Sequence, residues 1–292
     1  MRETLVTERS LAVACVVAAQ VSLGERYDGC CMIRVDEAYE GEMRLFRTRR
    51  DAALRAEDGW LASIGLSVLA DGKNELDFGT VTVRGDTVHF AVRAEARVTR
   101  CSTPVREAWL RPDQDDDILY VGRTSHQLIR RGDTLAIRSR DPDTELRRSF
   151  PGADWFPVDP SWRVYARAVP LERSRTLELS YSVAAQEVTA TEYILAFERD
   201  GVTYALEPIV EPKRLFILFR DLTNGELTST IGRYLYAPLP KGGRTVLDFN
   251  TALSPGCTYC EHVMCPIPPK RNMLHIRVDS GEKMPRVAHA VL

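Results

Sequence analysis

From Gly72 onward, apolar and polar residues alternate along the chain. Val88, Phe90 and Val92 fall on one side of an extended segment, with His89 and Ala91 on the other. Leu135 and Ile137 repeat the pattern. So do Leu177, Leu179 and Tyr181 against Glu178, Ser180 and Ser182, and Tyr193, Leu195 and Phe197 further on. Successive side chains of a strand point to opposite faces, so a period of two marks half-buried strands. The runs are broken at Gly85-Asp86, Gly132-Asp133, Asp200-Gly201 and Asn224-Gly225. These pairs favour tight hairpin turns because they tolerate left-handed backbone. About a dozen such runs predict an all-β fold, mainly an antiparallel β-barrel or β-sandwich. Leu215–Phe219 is apolar at every position. That predicts a strand covered on both faces and therefore central.

Before Gly72 the period lengthens. Tyr39, Met43, Phe46, Ala53 and Trp60 keep a three-and-four spacing, which predicts an N-terminal helix over 36–62. Arg47, Arg49, Arg50 and Arg55 fill the remainder, the pattern of a solvated face, with an anion site as the alternative. Residues 1–35 read as a leader, and 36–292 as a single β domain. Within the leader, Leu11–Val21 follows Arg2 and Arg9 and has the length and small residues of a signal core. Glu3 and Glu8 dilute the basic end, and Cys15 falls early for a lipoprotein cleavage site. A cytoplasmic protein is expected, with export through an N-terminal signal as the alternative.

Composition narrows the class. At 44% hydrophobic and 27% charged, the chain is of soluble globular type and can bury a sizeable core. A net charge of −2 gives no basic field, which argues against nucleic acid as a partner. No apolar run is long enough to predict a membrane span. The even spread of apolar residues is compatible with a homodimer. Seven cysteines, with Cys30 and Cys31 adjacent, make a poor disulfide framework and predict mostly reduced thiols. The acidic loop from Pro112 to Asp116 lacks the spacing of an EF-hand and reads as a solvated hairpin tip.

The chain carries no G-x-G-x-x-G, phosphate loop, G-x-S-x-G or H-E-x-x-H motif. Its polar information is densest over 219–282. If Val246–Asn250 is a strand, Leu247 and Phe249 face one side while Asp248 and Asn250 face the other. A carboxylate beside a carboxamide can hold one polar group, or the two can cap the turn that follows. Asp221 and Thr223 sit in the turn after Leu215–Phe219. Arg233 lies in a strand among aromatics and needs a partner if buried. Asp221, Asp248 or a substrate carboxylate could supply it. Cys257, Cys260, His262 and Cys265 form C-x2-C-x-H-x2-C. Zinc ligation, a Cys257–Cys265 disulfide, packed thiols and a cysteine nucleophile activated by His262 all remain open for that loop.

These segments resemble the uncharacterised bacterial and archaeal family DUF1684. The likeness starts near residue 42, with Asp58-Gly-Trp-Leu61, Gly65-Leu66, Gly132–Arg138 and Arg140-Asp141. It continues through Phe150, Trp155–Pro160 and Arg163-Val164. It is densest in Phe219–Gly225, Gly232–Leu235, Leu247–Asn250, Pro255, Cys257, Cys265-Pro266, Pro268-Pro269, Asn272, Leu274 and Gly281–Lys283. The chain departs from the family pattern at Gly256, where a proline is usual, at Ser229, and at Cys260 and His262, which have no counterpart. The resemblance implies a β-rich domain and puts Asp221, Thr223, Arg233, Asp248, Asn250, Asn272 and Glu282 among the patterned positions.

Mixed carboxylate, amide and guanidinium groups on a β scaffold suit a small polar ligand. The expectation is a cofactor-independent enzyme acting on a small organic metabolite in a barrel mouth, by hydrolysis, isomerisation or cyclisation in a biosynthetic pathway. Asp248 or Asp221 would be the acid or base and Arg233 the orienting cation. Asn250, Thr223, Asn272 and Glu282 would bind the ligand. The alternatives are a non-catalytic small-ligand carrier and a zinc-dependent or zinc-stabilised protein using the 257–265 loop.

Overall fold

The computed structural model describes residues 29–286 apart from residue 184. The signal-like run, Cys15 and His289 lie outside the described residues, and the side chains of Cys30 and Cys31 are not described. The chain divides into two units between Ala38 and Tyr39. Residues 29–38 of the first are helical. The second unit, Tyr39–Leu292, carries the sheets and the candidate residues.

The N-terminal helix runs from Gly29 to Arg55, so it begins inside the expected leader. It ends where the Gly59 N–H turns back onto Ala56 O at 2.9 Å, and Trp60–Ala62 forms a separate short 3-10 turn. Among its described side chains, Tyr39, Met43 and Leu54 are the buried apolar ones, whereas Ala53 is exposed. The register differs from expectation because two arginines occupy the inward face. Arg47 Nη2 donates to Phe156 O and Arg50 Nη2 to Ser254 O, each at 2.8 Å. Arg55 Nη2 donates to Phe150 O at 2.8 Å. Of the four arginines read as a solvated face, three therefore stitch the helix to the β domain. Their long apolar stems let a charged head reach a carbonyl across packed surface.

The remainder is antiparallel sheet, as expected, and every pairing between strands is antiparallel. The first half pairs a six-stranded sheet (Ser63–Val68, Thr134–Arg140, Thr124–Arg131, Leu119–Val121, Val98–Arg100, Thr103–Val105) with a four-stranded one (Gly72–Leu76, Gly79–Arg84, Thr87–Val92, Glu107–Leu110). Their shared core holds Val81, Val88, Phe90, Leu128 and Ile137. The second half pairs a four-stranded sheet (Val202–Leu206, Gln186–Arg199, Arg163–Ser180, Arg244–Asp248) with a three-stranded one (Ile209–Glu211, Arg214–Phe219, Arg233–Ala237). Their core holds Trp162, Leu195, Phe197, Leu215, Phe219, Leu247 and Phe249.

Gly85-Asp86, Gly132-Asp133 and Asp200-Gly201 each close a two-residue hairpin between paired strand ends. Arg214–Phe219 is the middle strand of its sheet, as its unbroken apolar run predicts. Seventeen strands are present among the described residues, more than the run count, because several span three residues and carry no period. The acidic loop is solvated over residues 113–116, as expected, and the burial begins at the next residue. Asp117 is buried, accepts from Arg111 Nε at 2.7 Å and is bonded by Arg100. No helix among the described residues is long and apolar enough to cross a membrane.

Candidate functional site

Strand Arg244–Asp248 stops at Asp248, and Phe249–Thr251 turns as a short 3-10 segment. Leu247 and Phe249 both enter the core, as the alternation predicts. Asp248 caps the turn by accepting the Asn250 N–H at 3.1 Å. Its carboxylate also receives the Tyr39 hydroxyl, 2.8 Å from each oxygen, and the Asn250 amide at 3.1 Å. Arg163, the cross-strand neighbour of Asp248, brings Nε to 3.9 Å from Oδ2. The Asp248 side chain is 17% exposed and that of Arg163 41%. The capping reading of these two residues therefore holds. Burial pushes the Tyr39 phenol well above its ordinary value, and the adjacent Asp248 charge adds to the shift.

Asn250 is fully buried and saturated. Its amide also donates to Tyr39 Oη at 3.0 Å and Asp159 O at 2.8 Å. Its carbonyl accepts from Asp159 N and Ser280 Oγ, each at 2.9 Å. Ser280 extends the network inward, because its main-chain oxygen accepts from Arg233 Nη1. Arg233 Nη2 donates to Asp221 Oδ2 at 2.7 Å and to Val278 O at 2.8 Å. Asp221 Oδ1 accepts the Thr223 hydroxyl at 2.6 Å and the Thr223 N–H at 2.8 Å. Thr223 Oγ1 lies 2.8 Å from Thr228 Oγ1. One polar chain therefore leads from Asp248 at the edge to Thr228 in the interior.

This placement corrects two roles. Arg233 and Asp221 have no exposed side-chain surface, and they neutralise each other. Neither touches a substrate as acid, base or orienting cation without unfolding of that region. Burial lowers the Arg233 guanidinium, against the opposing charge of Asp221. Thr223, read as a ligand-binding residue, is an interior turn residue. Asn272 belongs to another junction. It accepts from Glu207 N at 2.7 Å and donates to Glu207 O at 2.9 Å and Leu218 O at 2.8 Å, tying two strand ends together.

Glu282 is also fully buried. Oε2 accepts the Ser254 N–H at 3.0 Å and lies 3.3 Å from Arg50 Nε, while Oε1 has no partner. Burial pushes its carboxyl up to about 7, with the Arg50 charge opposing.

The cysteine loop packs Cys257, Cys260 and Cys265 into one buried cluster without forming a metal-ligand group. Cys260 Sγ points to Ser63 O at 3.3 Å, and His262 Nε2 lies 3.8 Å from Glu261. Cys265 Sγ accepts the Cys257 N–H at 3.1 Å. Cys257 and Cys265 are free thiols. The hydrogen bond to Cys265 and burial both push the Cys257 thiol up. Burial opposes ionisation of Cys265, but donors from Cys257 and Tyr234 outweigh it and lower that thiol. Among the described residues, no three His, Cys, Asp or Glu side chains are placed to hold a metal ion. Gly256 lies against Trp60, where a Cβ would come within 2.9 Å of the indole, so the close contact requires a glycine.

Sequence reasoning missed Tyr39, Arg163, Asp159 and Ser280 as partners of Asp248 and Asn250. Tyr39 carried one signal, as the first buried position of the helix stripe.

DUF1684, described as a protein of unknown function, matches residues 148–283, and through that segment the chain belongs to this family. The match excludes Asp58–Leu61, Gly65-Leu66 and Gly132–Asp141, which also carried the resemblance. An uncharacterised protein of Haloarcula marismortui, solved by solution NMR, is 32% identical to this chain. The similarity covers 49% of this chain and 82% of that one, with a TM-score of 0.41. No curated protein matches.

Proposed function

We propose that this chain is a cofactor-independent enzyme acting on a small polar metabolite at the edge formed by Tyr39, Asp248 and Arg163. One observation carries the reading. Asp248 is the candidate carboxylate that keeps side-chain surface, whereas Asp221 and Glu282 are sealed. Its nearest guanidinium stands at 3.9 Å, so no tight ion pair quenches it. Asp248 takes a proton from the bound molecule and returns it to the product. The Tyr39 phenol, kept protonated by burial and by Asp248, fixes the carboxylate orientation. The half-exposed Arg163 replaces Arg233 as the cation that orients an anionic or carbonyl group. Arg233 and Asp221 are positioning residues acting through Ser280 and Asn250. Proton transfer of this kind serves isomerisation, cyclisation or hydrolysis.

Native mass spectrometry tests the site. The wild-type chain is expected to retain an organic mass from a metabolite extract, and Arg163→Gln to lose it. Equal retention by Arg163→Gln, or none by either chain, counts against the reading.

A non-catalytic carrier is the second reading. It is favoured by a hollow of about 340 Å³ where the strand Arg163–Ser180 breaks register, lined by Pro170, Leu171, Ser174, Glu192 and Tyr193. A retained mass that survives Arg163→Gln but is lost when Tyr193 is replaced by Ala selects the carrier. Zinc at the cysteine loop has less support, because among the described residues no three Cys, His, Asp or Glu side chains are placed to hold a metal ion.

A further inference from the structure

Strand Thr134–Arg140 places Arg138 and Arg140 on one face, two residues apart. Both are buried, at 3% and 8% exposure. Arg138 stands opposite Leu66 on one neighbouring strand and Gln127 on the other, and Arg140 opposite Ser63 and Ser125. The Arg138 guanidinium lies 5.2 Å from the centre of the Trp60 ring. Residues of the cysteine loop cover this side of the sheet: Cys260 Sγ bonds Ser63 O, and Met264 packs with Ile129 and Ala136.

Buried cations are ordinarily paired, because removing one from water costs several kcal/mol. These two have no carboxylate partner among the described residues. Arg140 Nη1 donates to Gln127 Oε1 at 3.2 Å, a neutral acceptor. Four atoms of the cluster are buried with no hydrogen-bond partner: Nε and Nη2 of Arg138, Nε of Arg140 and Oγ of Ser63. Each can donate, so the cluster lacks an acceptor. The neighbouring Cys265 sulfur is already occupied by the Cys257 N–H. Burial, reinforced by the charges of Arg140 and Arg131, lowers Arg138 to about 10, which leaves it charged at neutral pH.

We propose that Arg138, Arg140 and Ser63 form a buried oxyanion site that takes one carboxylate or phosphate group. Guanidinium groups present paired N–H donors that match the oxygens of either anion, and the Ser63 hydroxyl adds a donor from the opposite strand. The site uses no residue of the Asp248 edge and stands or falls independently of it.

The test uses the full chain, dialysed free of polyvalent anions, at constant ionic strength set by sodium chloride. Inorganic phosphate and acetate are titrated separately by thermal shift and calorimetry, which distinguishes the two sources. Saturable binding of at least one anion is expected. Arg138→Gln is expected to weaken it more than about tenfold, and Ser63→Ala by about three- to tenfold, the range of one or two hydrogen bonds. Arg123→Gln, at a surface arginine paired with Asp143, should leave it unchanged. No saturation by either anion would overturn the site, as would saturation that persists in Arg138→Gln. Should Arg138→Gln not fold, Ser63→Ala decides, since it keeps both charges: unchanged affinity in that variant also overturns the site.

Discussion

The Arg233 guanidinium donates to the Asp221 carboxylate at 2.7 Å, with neither side chain reaching solvent. Two carbonyls and a threonine add bonds to the pair, while Arg233 Nε is left without a partner, and the pair is a structural node. Removing one partner leaves an uncompensated buried charge. Arg233→Met and Asp221→Asn are each expected to destabilise the chain by about 3–5 kcal/mol in urea unfolding. The double variant should lose much less than the sum. Losses below about 1 kcal/mol would show that the pair is open to water.

Glu282 and His126 give stability opposite dependences on pH. Glu282 is raised from 4.5 to about 7 by burial. Its contribution is full below the unfolded value and is lost as pH rises through 7, where the fold must ionise a buried carboxyl. His126 packs on Phe78 with ring centres 4.0 Å apart, and burial lowers it from 6.5 to about 4. Its contribution is full above the unfolded value and is lost as pH falls through 4. Each shift corresponds to roughly 3 kcal/mol, so between pH 4 and 7 the two nearly cancel. Chemical denaturation across that range should show Glu282→Gln gaining stability with rising pH and His126→Gln losing it. Parallel slopes in the two variants would refute the assignment.

The cysteines should differ in reactivity by burial. Cys101 is exposed, while Cys257, Cys260 and Cys265 are buried. Brief iodoacetamide treatment followed by peptide mapping is expected to label Cys101 in the native chain and the other three after unfolding. Rapid native labelling of Cys265 would instead indicate an accessible thiolate and favour the nucleophile reading of that loop.

The strands were legible because alternation and two-residue turns are local signals, as in Val88–Val92 and Gly85-Asp86. The helix register was not, because Arg47 and Arg50 point inward to carbonyls more than a hundred residues away. Hydropathy places an arginine outside, so the apolar face was assigned to Ala53 in place of Leu54. Asp248 and Asn250 were legible as a pair because two residues separate them on one segment. Their partner Tyr39 lies 209 residues from Asp248, and no local pattern joins them. The roles of Asp221, Arg233 and Glu282 depend on burial, which polar composition does not reveal. The cysteine spacing was real, but ligand spacing does not fix the direction of a thiol, and Cys260 turns to Ser63.

Turnover compared between wild type and Asp248→Asn tests the central claim most directly. The substitution keeps the size of the side chain and an oxygen for the Tyr39 hydroxyl, but removes the basic carboxylate. Both chains are incubated with a small-metabolite extract, and consumed and formed masses are followed by liquid chromatography and mass spectrometry. The expected result is a substrate–product pair formed by the wild type and slowed at least about a hundredfold in Asp248→Asn, the usual weight of a general acid–base group. Equal rates in the two chains, with both folded, would contradict Asp248 as the acid–base residue.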